Sequence, residues 1–248
     1  MKIVLVSGSR GWMTALARRL GAAFPGAVAG HVIEATDSWK CRFLQLRKRL
    51  KRYGLVRTLD QVLLQMSLML KHPPSDPSRP EMAVDHPVLR VESINDPEAE
   101  KFLKKCDADF LVNIGGGLMG RRVFEAVKVA AINIHPGICP RYRGANANFW
   151  AVYENNLDCV GVTVHRIDEG IDTGEILFQK KIEVSKGVDT IESITLRSYE
   201  AGIKGVQNIL ADFQANGRLQ KFAAEPGEAR TYGWHGLSHY LRARKNLS

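Results

Sequence analysis

Two polar residues occur two positions apart near the end of a short apolar segment in the middle of the chain. Asn133 and His135 alternate with isoleucines in a predicted strand over 131–135, and Pro136 ends that strand. Because alternate side chains of a strand point to the same face, the amide and the imidazole should lie side by side. Both would lie at the carboxyl end of the strand, where open α/β sheets bind ligands.

A group of carboxylates follows about thirty residues later, in a loop that contains glycines. Asp168, Glu169 and Asp172 follow a second predicted strand, and Gly170 and Gly174 would let the backbone turn tightly around them. An amide, an imidazole and a carboxylate in one pocket suit an acyl transfer. The amide would stabilise an oxyanion, the imidazole would move protons, and the carboxylate would orient the imidazole or balance its charge.

Each of these residues also has a purely structural explanation. Asn133 and His135 alone could be a hydrogen-bonded pair that caps a strand, and Asp168 with Glu169 suits a solvated turn as well as a ligand contact. His165 ends an apolar strand, so we expect it to be a structural histidine. The remaining histidines lack the spacing of metal ligands, so no metal site is predicted: His31, His72, His86, His235 and His239.

Strand and helix patterns alternate over most of the chain. Apolar runs predict strands over 2–7, 28–33, 88–91, 110–114, 131–135, 159–165 and 175–184, and helical spacing predicts helices over 12–23, 97–106 and 121–129. Asp96 and Pro97 are typical of the start of a helix. The alternation predicts an α/β fold with a doubly wound, mostly parallel sheet.

Three segments lie outside this alternation. Residues 40–71 predict two amphipathic helices broken near Gly54, and a proline cluster over 73–87 predicts an irregular loop. A capping box at Asp189–Glu192 would begin a helix that ends near 216, and a short helix is predicted near 235–244. We therefore expect a catalytic domain over 1–188, with a helical insertion at about 40–87, and a C-terminal helical extension over 189–248 packed on that domain.

Composition excludes several classes of protein. Hydrophobic residues make up 45% of the 248 residues, which excludes a collagenous or mostly disordered chain. The four cysteines form no CxxC pair, so we expect no disulfide scaffold or cysteine zinc site and a reduced, cytoplasmic setting. No apolar run is long enough for a transmembrane helix, and no membrane partner is expected.

The net charge of +9 favours an anionic partner. The basic run Arg47–Arg52 is more typical of a solvated helix face than of a binding surface. The apolar positions of 59–70 suit either the core or a subunit contact, so the chain could form a homodimer.

Several motifs, in this order, resemble the folate-dependent formyltransferase family: Asn133-x-His135-Pro136, Pro140-x-Tyr142-Arg143-Gly144, Trp150-Ala151, Gly161-Val-Thr-Val-His165 and Asp168-x-Gly170-x-Asp172-x-Gly174. That family includes glycinamide ribonucleotide, methionyl-tRNA and amino-sugar formyltransferases. The similarity is strong over 88–184 and weaker over 1–35. It implies a Rossmann-like fold and transfer of a formyl group from 10-formyltetrahydrofolate to an amine.

The resemblance also implies roles for individual residues. Asn133 and a protonated His135 would stabilise the oxyanion, and Asp172 would support the imidazolium and help to relay the proton of the amine. Residues of two loops would bind the pterin of the donor: Gly117, Leu118, Met119, Asp168, Glu169 and Gly170. The amine substrate would enter near a third set: Gly8, Ser9, Arg10, Tyr142, Arg143 and Gly144.

The sequence departs from the family in four places. Gly137 stands where the family often has serine, Asn146-Ala-Asn148 stands where some members have prolines, and 40–87 differs from the purine-pathway members. Too little chain follows Val184 for the β-barrel that methionyl-tRNA formyltransferases append. We therefore expect no tRNA substrate and favour a small-molecule amine, with a nucleotide-linked amino sugar as the leading acceptor.

Two other functions remain open at this point. The same site could use water as acceptor, which would make the protein a formyltetrahydrofolate hydrolase. The hydrolases of the family usually have an extra N-terminal domain, whereas this sequence begins at its first predicted strand. Alternatively, the chain could be a non-catalytic basic protein that binds an anionic ligand or nucleic acid.

Overall fold

The computed structural model describes residues 1–8, 11–35, 39–71, 85–224 and 227–248. Its strands are β1 (Ile3–Gly8), β2 (Val28–Glu34), β3 (Val88–Val91), β4 (Phe110–Ile114), β5 (Ala130–His135), β6 (Arg143–Gly144), β7 (Gly161–Arg166), β8 (Ile176–Lys181) and β9 (Thr231–Tyr232). Its helices are α1 (Gly11–Ala22), α2 (Trp39–Lys71), α3 (Pro97–Cys106), α4 (Arg121–Phe124), α5 (Ala147–Tyr153), α6 (Ile191–Asn216) and α7 (Leu237–Leu247).

Seven strands form one sheet in the order β3-β2-β1-β4-β5-β7-β8. Strands β1 to β5 pair in parallel, whereas β7 is antiparallel to β5 and β8 is antiparallel to β7. The chain order reverses between β1 and β4, and this reversal is the point at which doubly wound sheets bind ligands. The predicted fold class, a doubly wound and mostly parallel α/β sheet, is confirmed.

Helices cover both faces of the sheet, which is why the central strands are apolar along their whole length. Ile3 and Leu5 of β1 belong to a core shared with α1 and α6, and Val4 and Val6 belong to a core shared with α3. Helix α6 can approach β5 closely because Gly202 has no Cβ atom, which would otherwise clash with the side chain of Ile134. The rigid sheet fixes the carboxyl ends of β1, β4 and β5 along one edge.

A third core supports the segments beside that edge. It is formed mainly by α5, α7 and the loop before β6, with these fully buried members among others: Tyr142, Ala147, Phe149, Ala151 and Val152. The two-residue strand β6 pairs with β9, which places Gly144 next to Tyr232. The segment that follows β5 is therefore fixed by the third core and by the pairing of β6 with β9.

Two predicted helix boundaries are wrong. The helix predicted over 121–129 ends at Phe124, because the backbone N–H groups of Lys128 and Val129 donate to Ala108 and Asp109 instead of continuing the helix. The capping box of α6 is formed by Thr190 and Ser193, one residue later than predicted.

The other predicted elements agree with the structure to within a few residues. Helix α2 is broken at Gly54, whose φ of 76° and ψ of 175° are not helical. Most of the proline cluster at 73–87 lies outside the described residues. None of the helices in the described ranges is both long and apolar enough to cross a bilayer.

Candidate active site

A row of polar side chains crosses three neighbouring strands of the otherwise apolar sheet. Asn113 of β4 is in register with Asn133 of β5, and Asn133 is in register with His165 of β7. Asn113 Nδ2 donates to Asn133 Oδ1 at 3.1 Å, and Asn133 Nδ2 lies 3.2 Å from His165 Nε2. The three side chains therefore form one connected row at the edge where ligands bind.

Asp172 lies against this row. Its Oδ2 is 3.3 Å from His135 Nδ1, and its Oδ1 is 3.3 Å from His165 Nε2. Asn133 Nδ2 donates weakly to Oδ1 at 3.4 Å, and the Gly144 N–H donates to Oδ2 at 2.7 Å. The structure thus brings together the three side chains that the sequence singled out as a catalytic group.

The surroundings of Asp172 keep it ionised. Burial alone would raise the pKa of this carboxyl group, but the charge of His135 and the hydrogen bonds from His165 and Gly144 lower the pKa to about 2. The residue has a φ of 51°, a left-handed conformation that aspartate tolerates better than most residues. The site therefore contains a fixed negative charge at neutral pH.

His135 is fully buried, and burial lowers its pKa below the usual 6.5 although Asp172 acts in the opposite direction. The nearby charges of His165 and Arg143 lower this pKa further. Burial therefore favours the neutral ring, whereas the Asp172 carboxylate favours the protonated ring that the family resemblance implies. Its Nε2 lies 3.0 Å from the carbonyl oxygen of Tyr142, so both ring nitrogens face oxygen atoms.

The predicted amine-binding residues differ in what they present to the site. The side chain of Tyr142 is buried and donates to Glu154 Oε2 at 2.7 Å, so only its carbonyl oxygen faces His135. A direct side-chain contact with substrate is therefore not available to this tyrosine. The backbone of Gly144 holds Asp172. Gly8 ends β1 at the same edge, while Ser9 and Arg10 lie outside the described residues.

Arg143 is the charged member of that set. Its Nε is buried and has no hydrogen-bond partner among the described residues, which is a costly state for a cationic donor. Its charge lowers the pKa of His135, so the guanidinium group lies close to the group formed by Asn133, His135 and Asp172. Arg143 therefore offers an unsatisfied donor beside the site.

The three residues of the first loop predicted to bind the formyl donor, 117–119, lie in different environments. The Gly117 N–H already donates to Glu34, a nearly buried carboxylate at the end of β2. Met119 packs in the core, so it cannot cover a ligand from outside. Leu118 is 69% exposed, and its carbonyl oxygen accepts a hydrogen bond from Asn95. Leu118 alone presents an apolar side chain to solvent.

The second predicted donor loop is a self-contained turn. Asp168 Oδ1 accepts hydrogen bonds from the Gly170 N–H at 3.1 Å and from Thr173 Oγ1 at 2.6 Å. Glu169 is exposed and lies 3.4 Å from Arg121 Nε. Asp168 thus shapes the turn that leads to Asp172, and Gly170 allows the close approach of Thr173.

Sequence reasoning missed three residues of this site. His165 was expected to be structural, although it contacts both Asn133 and Asp172. Asn113 and Glu34 were not singled out. For Asn113 the available signal was a single polar residue within an otherwise apolar predicted strand, whereas His165 ends a predicted strand and Glu34 directly follows one.

Among the described residues, no cluster of three histidine, cysteine or acidic side chains is arranged to hold a metal ion. The polar atoms of the site suit hydrogen bonding and proton transfer.

Comparison with known proteins identifies a family that this chain matches. A family model described as "Formyl transferase" matches residues 69–210, which is more than half of the chain. Methionyl-tRNA formyltransferase of Kosmotoga olearia is 36% identical over 100 residues, covering 40% of this chain and 32% of that protein. The same enzyme of Anaeromyxobacter sp. (strain K) is 36% identical over 112 residues, covering 45% and 35%. The chain thus spans about a third of the length of these curated relatives.

Solved structures share the fold at low identity. A sugar N-formyltransferase from Shewanella sp FDAARGOS_354 has a TM-score of 0.60 and 18% identity, covering 100% of this chain and 89% of its own. Phosphoribosylglycinamide formyltransferase from Bacillus Halodurans has a TM-score of 0.57 and 19% identity, covering 88% and 97%. An N-formyltransferase from Helicobacter canadensis, in complex with folinic acid and dTDP-3-aminofucose, has a TM-score of 0.53 and 16% identity, covering 94% and 71%. By fold and by the sequence match over 69–210, this chain belongs to the formyl transferase family.

Proposed function

We propose that this chain transfers a formyl group from 10-formyltetrahydrofolate to a primary amine of a small molecule, and that the acceptor is a nucleotide-linked amino sugar. The observation that best supports the reaction is the convergence of Asn133, His135 and Asp172 within 3.4 Å contacts at the ligand-binding edge of the sheet. The family match and the sugar N-formyltransferase fold neighbour are consistent with it.

The reaction exchanges one bond for another. The amine nitrogen forms a bond to the formyl carbon, the bond from that carbon to the folate nitrogen breaks, and one proton passes from the amine to the leaving nitrogen. The formyl oxygen gains negative charge in between. An amide N–H such as that of Asn133 stabilises such charge, because a fixed donor in a dry site needs little reorganisation.

We assign the proton transfer to His135 and Asp172. In the neutral ring, a hydrogen on Nε2 would donate to the Tyr142 carbonyl at 3.0 Å, which leaves Nδ1 to take up a proton 3.3 Å from the Asp172 carboxylate. The resulting ion pair would stabilise the protonated ring during the reaction. Burial, which lowers the pKa of His135, favours this order, and the charge of Asp172 favours a ring that is protonated from the start.

The binding roles follow from what each residue exposes. Leu118 would cover the pterin ring, with the 168–170 turn on its other side, and the Arg143 guanidinium, whose charge acts on His135, would bind an anionic or carbonyl oxygen of a substrate. The net charge of +9 favours a phosphorylated acceptor over a neutral amine.

The test is formylation by purified protein, followed as tetrahydrofolate release and as the mass of the product. Acceptors are uridine- and thymidine-diphosphate amino sugars, glycinamide ribonucleotide and methionyl-tRNA, with a reaction that lacks any acceptor. We expect turnover with an amino sugar. Turnover only with methionyl-tRNA, which the curated relatives use by name, would replace the acceptor. Formate release without an amine would indicate the hydrolase instead.

The catalytic assignment needs a variant of its own. We expect Asp172→Asn to lower kcat at least 100-fold, the usual effect of losing a group that supports proton transfer. Asp107→Asn is a matched control, because Asp107 has the same left-handed conformation, with a φ of 49°, at the end of α3. Equal activity of the two variants would remove Asp172 from the mechanism, and salt-sensitive nucleic-acid binding without turnover would favour the non-catalytic alternative.

A further inference from the structure

The second part of helix α2 exposes four apolar side chains, and its buried side includes two polar residues as well as Leu64. Thr58 and Gln61 are buried, and Gln61 Nε2 donates to the Trp234 carbonyl beside α7 at 2.9 Å. The opposite face has apolar residues at positions i, i+3, i+7 and i+10, each more than half exposed: Val56, Leu59, Leu63 and Met66. A surface helix of a soluble protein normally presents polar residues to water, so an exposed apolar face of this kind suits contact with a partner.

The first part of α2 combines a similar stripe with a high positive charge. Phe43, Leu46 and Leu50 lie at positions i, i+3 and i+7, and each is at least 38% exposed. From Trp39 to Leu59 the sequence contains no acidic residue, and its cationic residues are Lys40, Arg42, Arg47, Lys48, Arg49, Lys51, Arg52 and Arg57. Helix α7, which packs against α2, adds an exposed leucine and three exposed cations: Leu241, Arg242, Arg244 and Lys245.

We infer that the exposed face of α2 docks on an anionic phospholipid surface. Lipid headgroups would neutralise the flanking cations, and the acyl chains would cover the stripe of Phe43, Leu46 and Leu50. A nucleic acid would satisfy the cations but would leave the leucines in water. A second copy of the chain would cover the leucines but would bring the two basic runs together. Composition alone predicted no membrane partner, and the exposure of this face changes that expectation.

A short series of contacts connects the docked face to the candidate active site. Tyr53, next to the break in α2, lies beside Gly233, and Gly233 follows β9 directly. Strand β9 pairs with β6, whose Gly144 N–H holds Asp172. Docking would therefore hold the active-site edge near the lipid surface. The inference does not depend on which reaction the site performs.

The test is co-sedimentation of the full chain with vesicles. One set contains phosphatidylcholine alone and the other contains about 30% phosphatidylglycerol. We expect at least tenfold tighter binding to the anionic vesicles at low salt, and a weakening at high salt because screening reduces the attraction. Failure to bind, or equal binding to both sets, would overturn the inference.

Two double variants test whether the exposed face of α2 is the surface that binds the vesicles. Leu46→Glu with Leu50→Glu should weaken binding to the anionic vesicles at least tenfold, because charge enters the apolar stripe. Val188→Glu with Leu196→Glu makes the same change at two exposed apolar positions outside α2 and should leave binding unchanged. Circular dichroism would show that both double variants keep the wild-type fold.

Three results would overturn the inference, and the last two of them would assign the face to another partner. One is equal loss of vesicle binding in both double variants. Another is a dimer, seen by light scattering, that only the α2 variant dissociates. The third is binding of RNA or of an acidic protein that only the α2 variant loses, without vesicle binding by the wild type.

Discussion

Asp172 Oδ1 lies 3.3 Å from His165 Nε2, so the carboxylate that faces His135 with one oxygen has a second imidazole on the other. His165 Nδ1 is itself held, 2.7 Å from the backbone oxygen of Arg166. The second ring therefore fixes the position of Asp172 and lowers the pKa of its carboxyl group. If Asp172 supports proton transfer as proposed, His165 would affect the reaction by positioning that carboxylate.

We expect His165→Ala to lower kcat roughly tenfold to 100-fold with a smaller change in KM, because Asp172 loses one of its two imidazole partners. The acidic limb of the pH–rate profile should move to higher pH as the pKa of Asp172 rises. The control is His239→Ala, which removes a histidine 3.9 Å from Asp60, outside the site. Unchanged kcat and an unchanged pH profile in His165→Ala would limit this residue to packing.

The low pKa of Asp172 also predicts how stability depends on pH. Its carboxyl pKa is about 2 in the folded chain and about 3.8 when unfolded, so the ionised group stabilises the fold above pH 4. The contribution is about 2 kcal/mol, and it is lost as pH falls from about 4 to about 2. The difference in unfolding free energy between wild type and Asp172→Asn should therefore shrink by roughly half at about pH 3.

Urea unfolding at a series of acidic pH values measures that difference. The Asp107→Asn variant is the control. Asp107 has a similar backbone conformation, but it is exposed and pairs with Lys2 and Lys128. Its substitution therefore shows how the loss of a surface charge alone changes the unfolding free energy. A wild-type advantage over Asp172→Asn that stays constant down to low pH would contradict a depressed pKa.

Most of the fold could be predicted from the sequence because each local pattern agreed with the global architecture. The continuous apolar runs of β1 and β4 indicate strands buried on both faces, and the order of elements then restricts the sheet to a few topologies. Within β5, the two-residue period alone placed Asn133 and His135 on one face.

The site could be predicted only where its residues are close in sequence or belong to a recognisable motif. His165 reaches Asp172 because β7 runs antiparallel to β5 in one specific register, and an apolar run does not reveal direction or register. The pattern likewise could not show that Tyr142 turns its ring toward Glu154, since this depends on packing between α5 and the loop before β6. Helix termini shifted by a residue or more where tertiary hydrogen bonds competed, as at Val129.

Gly144 should not tolerate a side chain. Its φ is 85°, a Cβ atom would meet the Tyr232 carbonyl oxygen, and its N–H holds Asp172. We expect Gly144→Ala to lower the unfolding free energy by roughly 2 kcal/mol or more and to reduce kcat at least tenfold, because the strand pair moves and Asp172 loses a donor.

The variant Gly26→Ala separates the effect of the backbone conformation from the effect of contact with Tyr232. Gly26 has a φ of 73° but nothing within 4 Å of its Cβ position, so its substitution tests the backbone conformation alone. We expect a loss of about 1 kcal/mol and wild-type kcat. Denaturant unfolding and initial rates measure both quantities, and equal losses in the two variants would show that contact with Tyr232 has no effect.

Asn113 fixes which way the amide of Asn133 points. The Gly116 N–H donates to Asn113 Oδ1 at 3.1 Å, so Asn113 Nδ2 must point to Asn133 Oδ1, also at 3.1 Å. Asn133 Nδ2 is then directed toward Asp172. Asn113→Asp replaces this donor with an oxygen, so Asn133 should turn its amide group toward the new carboxylate and present its own oxygen to Asp172.

We expect Asn113→Asp to lower kcat at least tenfold, while Asn113→Ala, which removes the constraint without adding repulsion, should cause a smaller loss. Initial rates over a range of acceptor concentrations would separate kcat from KM. Asn246→Asp is the control: Asn246 Nδ2 donates to two backbone carbonyls at the end of α5, so its loss should lower stability but not kcat. If Asn113→Asp turned over at the wild-type rate, Asn133 would keep its orientation without Asn113, because its contacts with Asp172 and His165 would then be sufficient to hold the amide.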